Sequence, residues 1–333
     1  MLGELRGVIE SPNMIRSSRV RDWVLLLICN LIWASQFVMV KIVQGQMGPL
    51  FATFFPMTLA TLCLVPIVWL ERRRRKNEPG VQWPWRRSVL EFALLGILAQ
   101  AGTQLSITWG VGLSMASNAA LIMLALPVST ALMAFLLLGE RMSAVRWISF
   151  ALAIIGVLEC SGINWKELSF GNSNHLAGDL LIFYGVNGSA FYNVYSKKLL
   201  KVYSPLQVLL YTYYASFVVM LPATLAFEPQ SFRDLPRFSA GVWAGLLMLA
   251  VFQYFLSMMI FLNVLSRLDA TQAGLSNYLI PFFGLLIAAV VLGEHLTPVM
   301  IAGGLLVLVS TLLVTVYEER VRSRAASVDQ PIG

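Results

Sequence analysis

Long apolar runs recur along this chain with only short polar breaks between them, and that spacing limits the fold more than any other feature. A helix needs roughly 20 mostly apolar residues to cross a bilayer. Runs of that kind occupy about 22–43, 49–70, 88–110, 114–138, 144–161, 176–199, 205–226, 240–264, 270–292 and 298–317. Closed barrels are the other way to satisfy backbone polar groups in lipid, but their strands alternate apolar and polar side chains over about ten residues. These runs do not alternate, so the expected fold is an all-α membrane protein of ten transmembrane helices. Composition agrees: 58% of the 333 residues are hydrophobic and 12% charged, with mean hydropathy +0.73. Soluble domains carry about twice that charged fraction, so the surplus apolar surface is expected to face lipid.

The net charge of +7 does not point to nucleic acid, because most basic residues sit in short segments beside apolar runs. That is the pattern of loops flanking spans. With the N-terminus inside, 20 of the 24 lysines and arginines fall on one side, leaving Lys41, Lys166, Arg233 and Arg237 on the other. Both termini are therefore expected in the cytoplasm, with the run Arg72-Arg73-Arg74-Arg75-Lys76 as the strongest anchor in the cell membrane. Residues 1–21 are polar, end in arginines and lack the apolar core of a signal peptide, so they read as a cytoplasmic tail. Cys29, Cys63 and Cys160 lie in or beside apolar runs without metal-like spacing and read as small hydrophobes.

The chain also repeats. A shift of 154 residues lays Ala116 on Ala270, Pro127 on Pro281, Leu138 on Leu292 and Gly139-Glu140 on Gly293-Glu294. A shift of 157 lays Asp22 on Asp179, Asn30 on Asn187 and Lys41 on Lys198. The expected units are residues 22–161 and 176–317, five helices each, followed by a cytoplasmic tail at 318–333. An odd number of spans per unit makes the second insert upside down. Inverted repeats are a hallmark of transporters, whose substrate site lies near midplane between the halves.

The stretch Trp33-Ala34-Ser35-Gln36-Phe37 through Lys41 resembles the first-helix signature of EamA-type proteins in the drug/metabolite transporter superfamily. Ser117 through Pro127 to Gly139-Glu140-Arg141 is similar to their fourth helix and its exit. Gly178-Asp179 to Tyr195-Ser196-Lys197-Lys198 resembles the sixth, and Pro281 to Gly293-Glu294 the ninth. Gln36 stands where many members carry Asn, and Ala34 where Gly is common. The resemblance spans about 20–317 and implies a ten-helix basket around a central cavity, helices 5 and 10 being peripheral, that transports small organic metabolites.

Several residues could carry that chemistry. Pro127 and Pro281 each remove a backbone donor and free the carbonyl four residues earlier, at Met123 and Asn277. They read either as packing kinks or as bends in a cavity wall. Asn30, Phe37 and Lys41 share a face of the first span with Trp33 beside it, and Asn187, Phe191 and Lys198 share one on the sixth. The asparagines read as cavity ligands or as hydrogen-bonding glue between helices. Lys41 and Lys198 stand at span ends, where snorkelling to the headgroups competes with a ligand role. Gln100, Gln104, Asn118, Gln253, Asn277 and Tyr278 add neutral donors and acceptors, with Tyr192 among the aromatics. Substrate binding is thus expected at Asn30, Trp33, Phe37, Lys41, Gln104, Asn187, Phe191, Asn277 and Tyr278.

Glu91 and Glu159 are the carboxylates within spans, and they read either as proton sites or as partners of flanking cations. Such a cavity suits an amphipathic or zwitterionic solute such as an amino acid. A sugar-phosphate or nucleotide-sugar exchanger is the alternative, disfavoured because no arginine lies deep in a span. An intramembrane enzyme would need a nucleophile and base or metal ligands at helical spacing. His175 and His295 lie near outer loops, with no HExxH, paired intramembrane aspartates or GxxxxGK[ST] loop. A receptor or scaffold would need an output domain. The expected partners are a small solute and the bilayer, without cofactor, metal or nucleic acid; a monomer is compatible with all of this.

Overall fold

The computed structural model describes residues 12–74, 86–113, 125–139 and 173–280, with short helical pieces or single positions between 143 and 155 and between 283 and 317. Regular structure among the described residues is entirely helical. Helix α1 is Pro12–Gln44, α2 is Pro49–Arg74, and α3 runs Arg86–Leu94, then a π-helical stretch Leu95–Gly102, then Thr103–Leu113. Helices α4 (Ala125–Leu138), α5 (Ser173–Leu199) and α6 (Pro205–Phe227) follow. Helix α7 runs Ala240–Met248, a second π-helical stretch Leu249–Ser257, and Met258–Leu265, and α8 is Ala270–Ser276. By length and composition, Pro49–Arg74, Ser88–Gly110, Pro205–Phe227 and Ala240–Leu265 are each long and apolar enough to cross a membrane. The fifth and tenth predicted runs lie largely outside the described residues, as do the first part of the fourth and the later part of the ninth.

Local chemistry sets the helix ends. Ser204 caps α6 in a reciprocal box: its Oγ accepts from Gln207 N–H at 3.3 Å and Gln207 Oε1 accepts from Ser204 N–H at 3.0 Å. Pro205 fills the first helical position, where its missing donor costs nothing. Gly139, with φ +70°, ends α4 in the left-handed conformation that glycine adopts most cheaply. At the start of α2, Glu228 accepts from Leu50 N–H at 3.0 Å and Phe51 N–H at 2.9 Å. A carboxylate on free N–H groups at a helix N-terminus is favoured by the helix dipole.

The bundle is apolar outside and partly polar inside, the reverse of a soluble domain. Leu27, Ile28 and Leu31 on α1, Leu132 and Leu136 on α4, and Val218 and Phe227 on α6 are exposed. Asn30, Gln100, Gln253, Gln272 and Asn277 are buried. An exposed apolar girdle of this extent is what lipid contact requires. Helices α3 and α5 approach closely, because a Cβ on Gly188 would fall 2.1 Å from Thr103 Oγ1. Small residues at such crossings let helix backbones meet.

One end of the bundle is fastened by ion pairs. Asp22 on α1 holds Arg267 through two bonds of 2.7 and 3.1 Å, and Lys197 on α5 lies 3.6 Å from Asp269. Beside them Lys198 Nζ is 3.3 Å from Glu91 on α3, which also accepts from Tyr195 OH at 3.0 Å.

Candidate functional site

A cavity lies between α1, α3, α5, α7 and the start of the ninth predicted span, enclosing about 700 Å³ of empty space with its open mouth included. Helix α1 contributes Trp33 and Gln36, and α3 contributes Gln100, Thr103 and Gln104. Helix α5 contributes Ser189, Tyr192 and Asn193, and α7 contributes Gln253, Met258 and Phe261. Asn277 and Ile280 close the wall beyond α8. The described lining holds no charged side chain.

Trp33 forms a fixed apolar wall. Its ring lies 5.1 Å from that of Phe261, and its indole N–H donates to Ser257 Oγ at 2.9 Å. The Ser257 hydroxyl in turn donates to the Gln253 carbonyl, and Cys29 Sγ donates to Ser257 O at 3.0 Å. Three glutamines then run across the wall. Gln253 Nε2 donates to Gln36 Oε1 at 2.7 Å, and Gln36 Nε2 donates to Gln104 Oε1 at 3.2 Å. Gln100 Nε2, Gln253 Oε1 and Asn277 Oδ1 are buried and have no hydrogen-bond partner among the described residues. Leaving such groups unmet costs about 1–3 kcal/mol each, so a ligand or water that reached them would be held there.

Both π-helical stretches carry one of these amides. Gln100 lies in Leu95–Gly102 and Gln253 in Leu249–Ser257, and the stretches begin 154 residues apart, the offset that aligns Pro127 with Pro281. π-Helical turns inside α-helices occur frequently at functional sites.

Of the predicted substrate-binding residues, Trp33, Gln104 and Asn277 meet at this cavity. Asn30 is fully buried outside the cavity lining, its amide nitrogen donating to Leu26 O of its own helix at 2.7 Å and across to Ser276 Oγ at 3.1 Å, while its Oδ1 has no partner among the described residues. Asn187 donates to its own Phe183 carbonyl at 2.8 Å and does not line the cavity. Helix α5 turns Ser189 and Asn193 inward instead, and Asn187 stands about 120° round the helix from Asn193. Phe191 stacks on Tyr195 at 5.2 Å, outside the lining, and Tyr278 is buried behind it. The side chains of Phe37 and Lys41 lie outside the described residues, as do Asn118, Glu159 and Pro281.

Lys198, read as anchor or ligand, and Glu91, read as proton site or as partner of a flanking cation, pair with each other away from the cavity lining. The Asn277 carbonyl, expected to be freed by Pro281, accepts Ile280 N–H at 3.0 Å. The helix tightens to an i→i+3 turn there, which satisfies the group locally. Pro127 is buried near the described start of α4, and Met123 lies outside the described residues. Beyond the expected set, the cavity gains Thr103, Ser189, Asn193, Met258 and Phe261, and Gln36 of the first-helix signature lines it as well. The Ser189 and Asn193 pair, four apart, was a readable helical stripe.

Comparison with known proteins agrees with this architecture. The sequence matches the EamA-like transporter family over residues 23–161 and again over 176–316. It is 26% identical over 284 residues to a probable terminal-alkyne amino-acid exporter of Streptantibioticus cattleyicolor, covering 85% of this chain and 89% of that one. It is likewise 26% identical over 312 residues to a probable amino-acid metabolite efflux pump of Salmonella typhimurium, covering 92% and 98%. A solved crystal structure shares the fold with a TM-score of 0.73 at 16% identity, over 91% of this chain and 99% of that one. With the family match covering both halves, the chain belongs to the EamA-like transporter family.

Proposed function

We propose that this protein is a secondary transporter that exports or exchanges a small, net-neutral organic metabolite, an amino acid or a related amphipathic solute, by alternating access. The observation that carries this reading is the cavity itself, with Trp33, Tyr192 and Phe261 beside unpaired neutral amides and no charged group in its described lining. Apolar walls with a few convergent polar groups are the general design of a small-molecule site. A polyanion would enter with its charge uncompensated, at a large desolvation cost. Two similar proteins are named for amino-acid or amino-acid-metabolite export, which favours the same substrate class.

The proposed arrangement is ten spans in two inverted halves within the cell membrane, both termini cytoplasmic. The recurrence of the 154-residue offset in the prolines and in the π-helical stretches supports the two-fold plan. On this reading the pairs Asp22–Arg267, Lys197–Asp269 and Lys198–Glu91 lie on the cytoplasmic side. They close that side and must separate for the opposite state to form.

Counterflow in proteoliposomes tests the function, with a labelled amino-acid panel beside a sugar-phosphate panel. Exchange of at least one amino acid without chemical change is expected. Exchange confined to sugar phosphates would overturn the substrate class, and formation of a new product would overturn transport in favour of an enzyme.

A further inference from the structure

The glutamines of the cavity wall are joined in one direction. Gln253 Nε2 donates to Gln36 Oε1, and Gln36 Nε2 donates to Gln104 Oε1. A carboxamide has one accepting atom and one donating atom, so three joined head to tail leave an acceptor at one end and a donor at the other. The acceptor end is Gln253 Oε1, and the donor end is the amide nitrogen of Gln104. Each end has a companion of the same sense. Asn277 Oδ1 is a second unpartnered acceptor on the wall, and Gln100 Nε2 is an unpartnered donor four residues before Gln104, again among the described residues. Gln100, Gln253 and Asn277 are only 3%, 6% and 5% exposed, so these are interior groups awaiting a partner.

A carboxylate only accepts hydrogen bonds and an ammonium only donates them. We propose that the cavity sorts the two ends of a zwitterion, its carboxylate bound by Gln100 and Gln104 on α3 and its ammonium bound by Gln253 and Asn277. This rests on the transporter reading above and adds which residues read which end. Neutral amides can serve both charges because the ligand's own charges cancel, and nothing ionic is then buried without compensation. An amine lacking the carboxylate leaves the α3 donors unmet, and an acid lacking the ammonium leaves the acceptors unmet. A site built to hydrogen-bond a group rejects analogues that lack it strongly.

The test uses purified full-length protein and thermal stabilisation by ligand, which reads binding without requiring transport. The probes are proteinogenic amino acids, each beside its decarboxylated amine and its deaminated acid. Wild type should bind the best amino acid at least tenfold more tightly than either analogue. Gln100→Leu should lose discrimination against the amine while still rejecting the acid, and Gln253→Leu should do the reverse. Size-matched variants keep the test alive if the leucine variants fail to fold. Gln253→Glu should turn the preference towards the amine, and Gln100→Glu should abolish amino-acid binding while sparing the amine. Equal loss for all three probes in every variant, or the opposite assignment of ends, overturns the sorting while leaving the transporter reading intact. Failure of wild type to bind any amino acid overturns the substrate reading, and the sorting with it.

Discussion

The π-helical stretches Leu95–Gly102 and Leu249–Ser257 begin at equivalent offsets, yet their neighbours hold them differently. A π turn interrupts the regular i→i−4 ladder, and backbone groups released from it must find partners elsewhere. In Leu249–Ser257, Tyr213 OH donates to Tyr254 O and Cys29 Sγ to Ser257 O. Trp33 and Gln36 add side-chain bonds to Ser257 and Gln253, so three of the four supports come from α1. Leu95–Gly102 is supported from the other direction. Ser216 Oγ on α6 donates to Gly96 O at 2.7 Å, and the exposed Tyr184 on α5 donates to Leu98 O at 3.2 Å. The π-helical stretch of α7 is thus tied into the cavity wall through α1, whereas that of α3 is held by α5 and α6 and leaves Gln100 Nε2 without a partner among the described residues.

The sharpest way to break this comparison is at Gly96. A Cβ there would fall 2.4 Å from Thr212 O and 2.6 Å from Ala215 Cβ, both parts of α6 that cannot swing aside. Position 250, which is 154 residues later, is a buried alanine. Gly96→Ala should cost about 3 kcal/mol, the upper part of the usual overpacking range. Ala250→Gly should cost about 1 kcal/mol, the helix-propensity difference. Thermal unfolding in detergent measures both. Equal losses would mean the two stretches are packed alike after all.

A middle-sized effect is expected from the hydroxyls. Ser257→Ala removes the acceptor of the Trp33 indole and leaves that N–H unmet beside the cavity, at about 2 kcal/mol. Ser216→Ala removes a bond to a carbonyl at about 1 kcal/mol. Counterflow should separate them further: Ser257→Ala frees Trp33 and lowers exchange several-fold, and Ser216→Ala keeps exchange within about twofold at equal membrane levels. A larger transport loss for Ser216→Ala would reverse the assignment of which helix is anchored to the wall.

What could be read from sequence follows from which forces are local. Apolar run length and the polar breaks are properties of the chain itself, and helices at Pro49–Arg74 and Pro205–Phe227 follow from them. Gly139 as a helix exit was legible for the same reason. Trp33, Gln104 and Asn277 were found because polar or large aromatic groups in apolar runs need partners. The rotation of each helix about its axis was not legible, since it depends on packing against helices far away in sequence. That is why Asn187 was expected at the wall, whereas Asn193 lines it. The π-helical stretches were invisible too. Nothing in Leu95–Gly102 departs from an ordinary apolar helix until Ser216 and Tyr184 supply acceptable partners for its carbonyls.

The smallest expected effect lies at Tyr184, and it sharpens the claim that the π-helical stretch of α3 is held by α5 and α6. Its hydroxyl donates to Leu98 O at 3.2 Å, from a side chain that is 44% exposed. A carbonyl that loses one of its donors is left under-satisfied at lower cost than an orphaned N–H, so this bond contributes at the low end of the usual range. Tyr184→Phe removes only the hydroxyl and keeps the ring. The expected loss is about 0.5 kcal/mol in thermal unfolding, with exchange unchanged. Combined with Ser216→Ala, the two losses should exceed their sum if both hydroxyls hold the same stretch, because the second deletion leaves Leu95–Gly102 without either side-chain donor. Strict additivity would show that the supports act independently. The π-helical stretch of α3 would then be held at Gly96 and at Leu98 by two separate contacts.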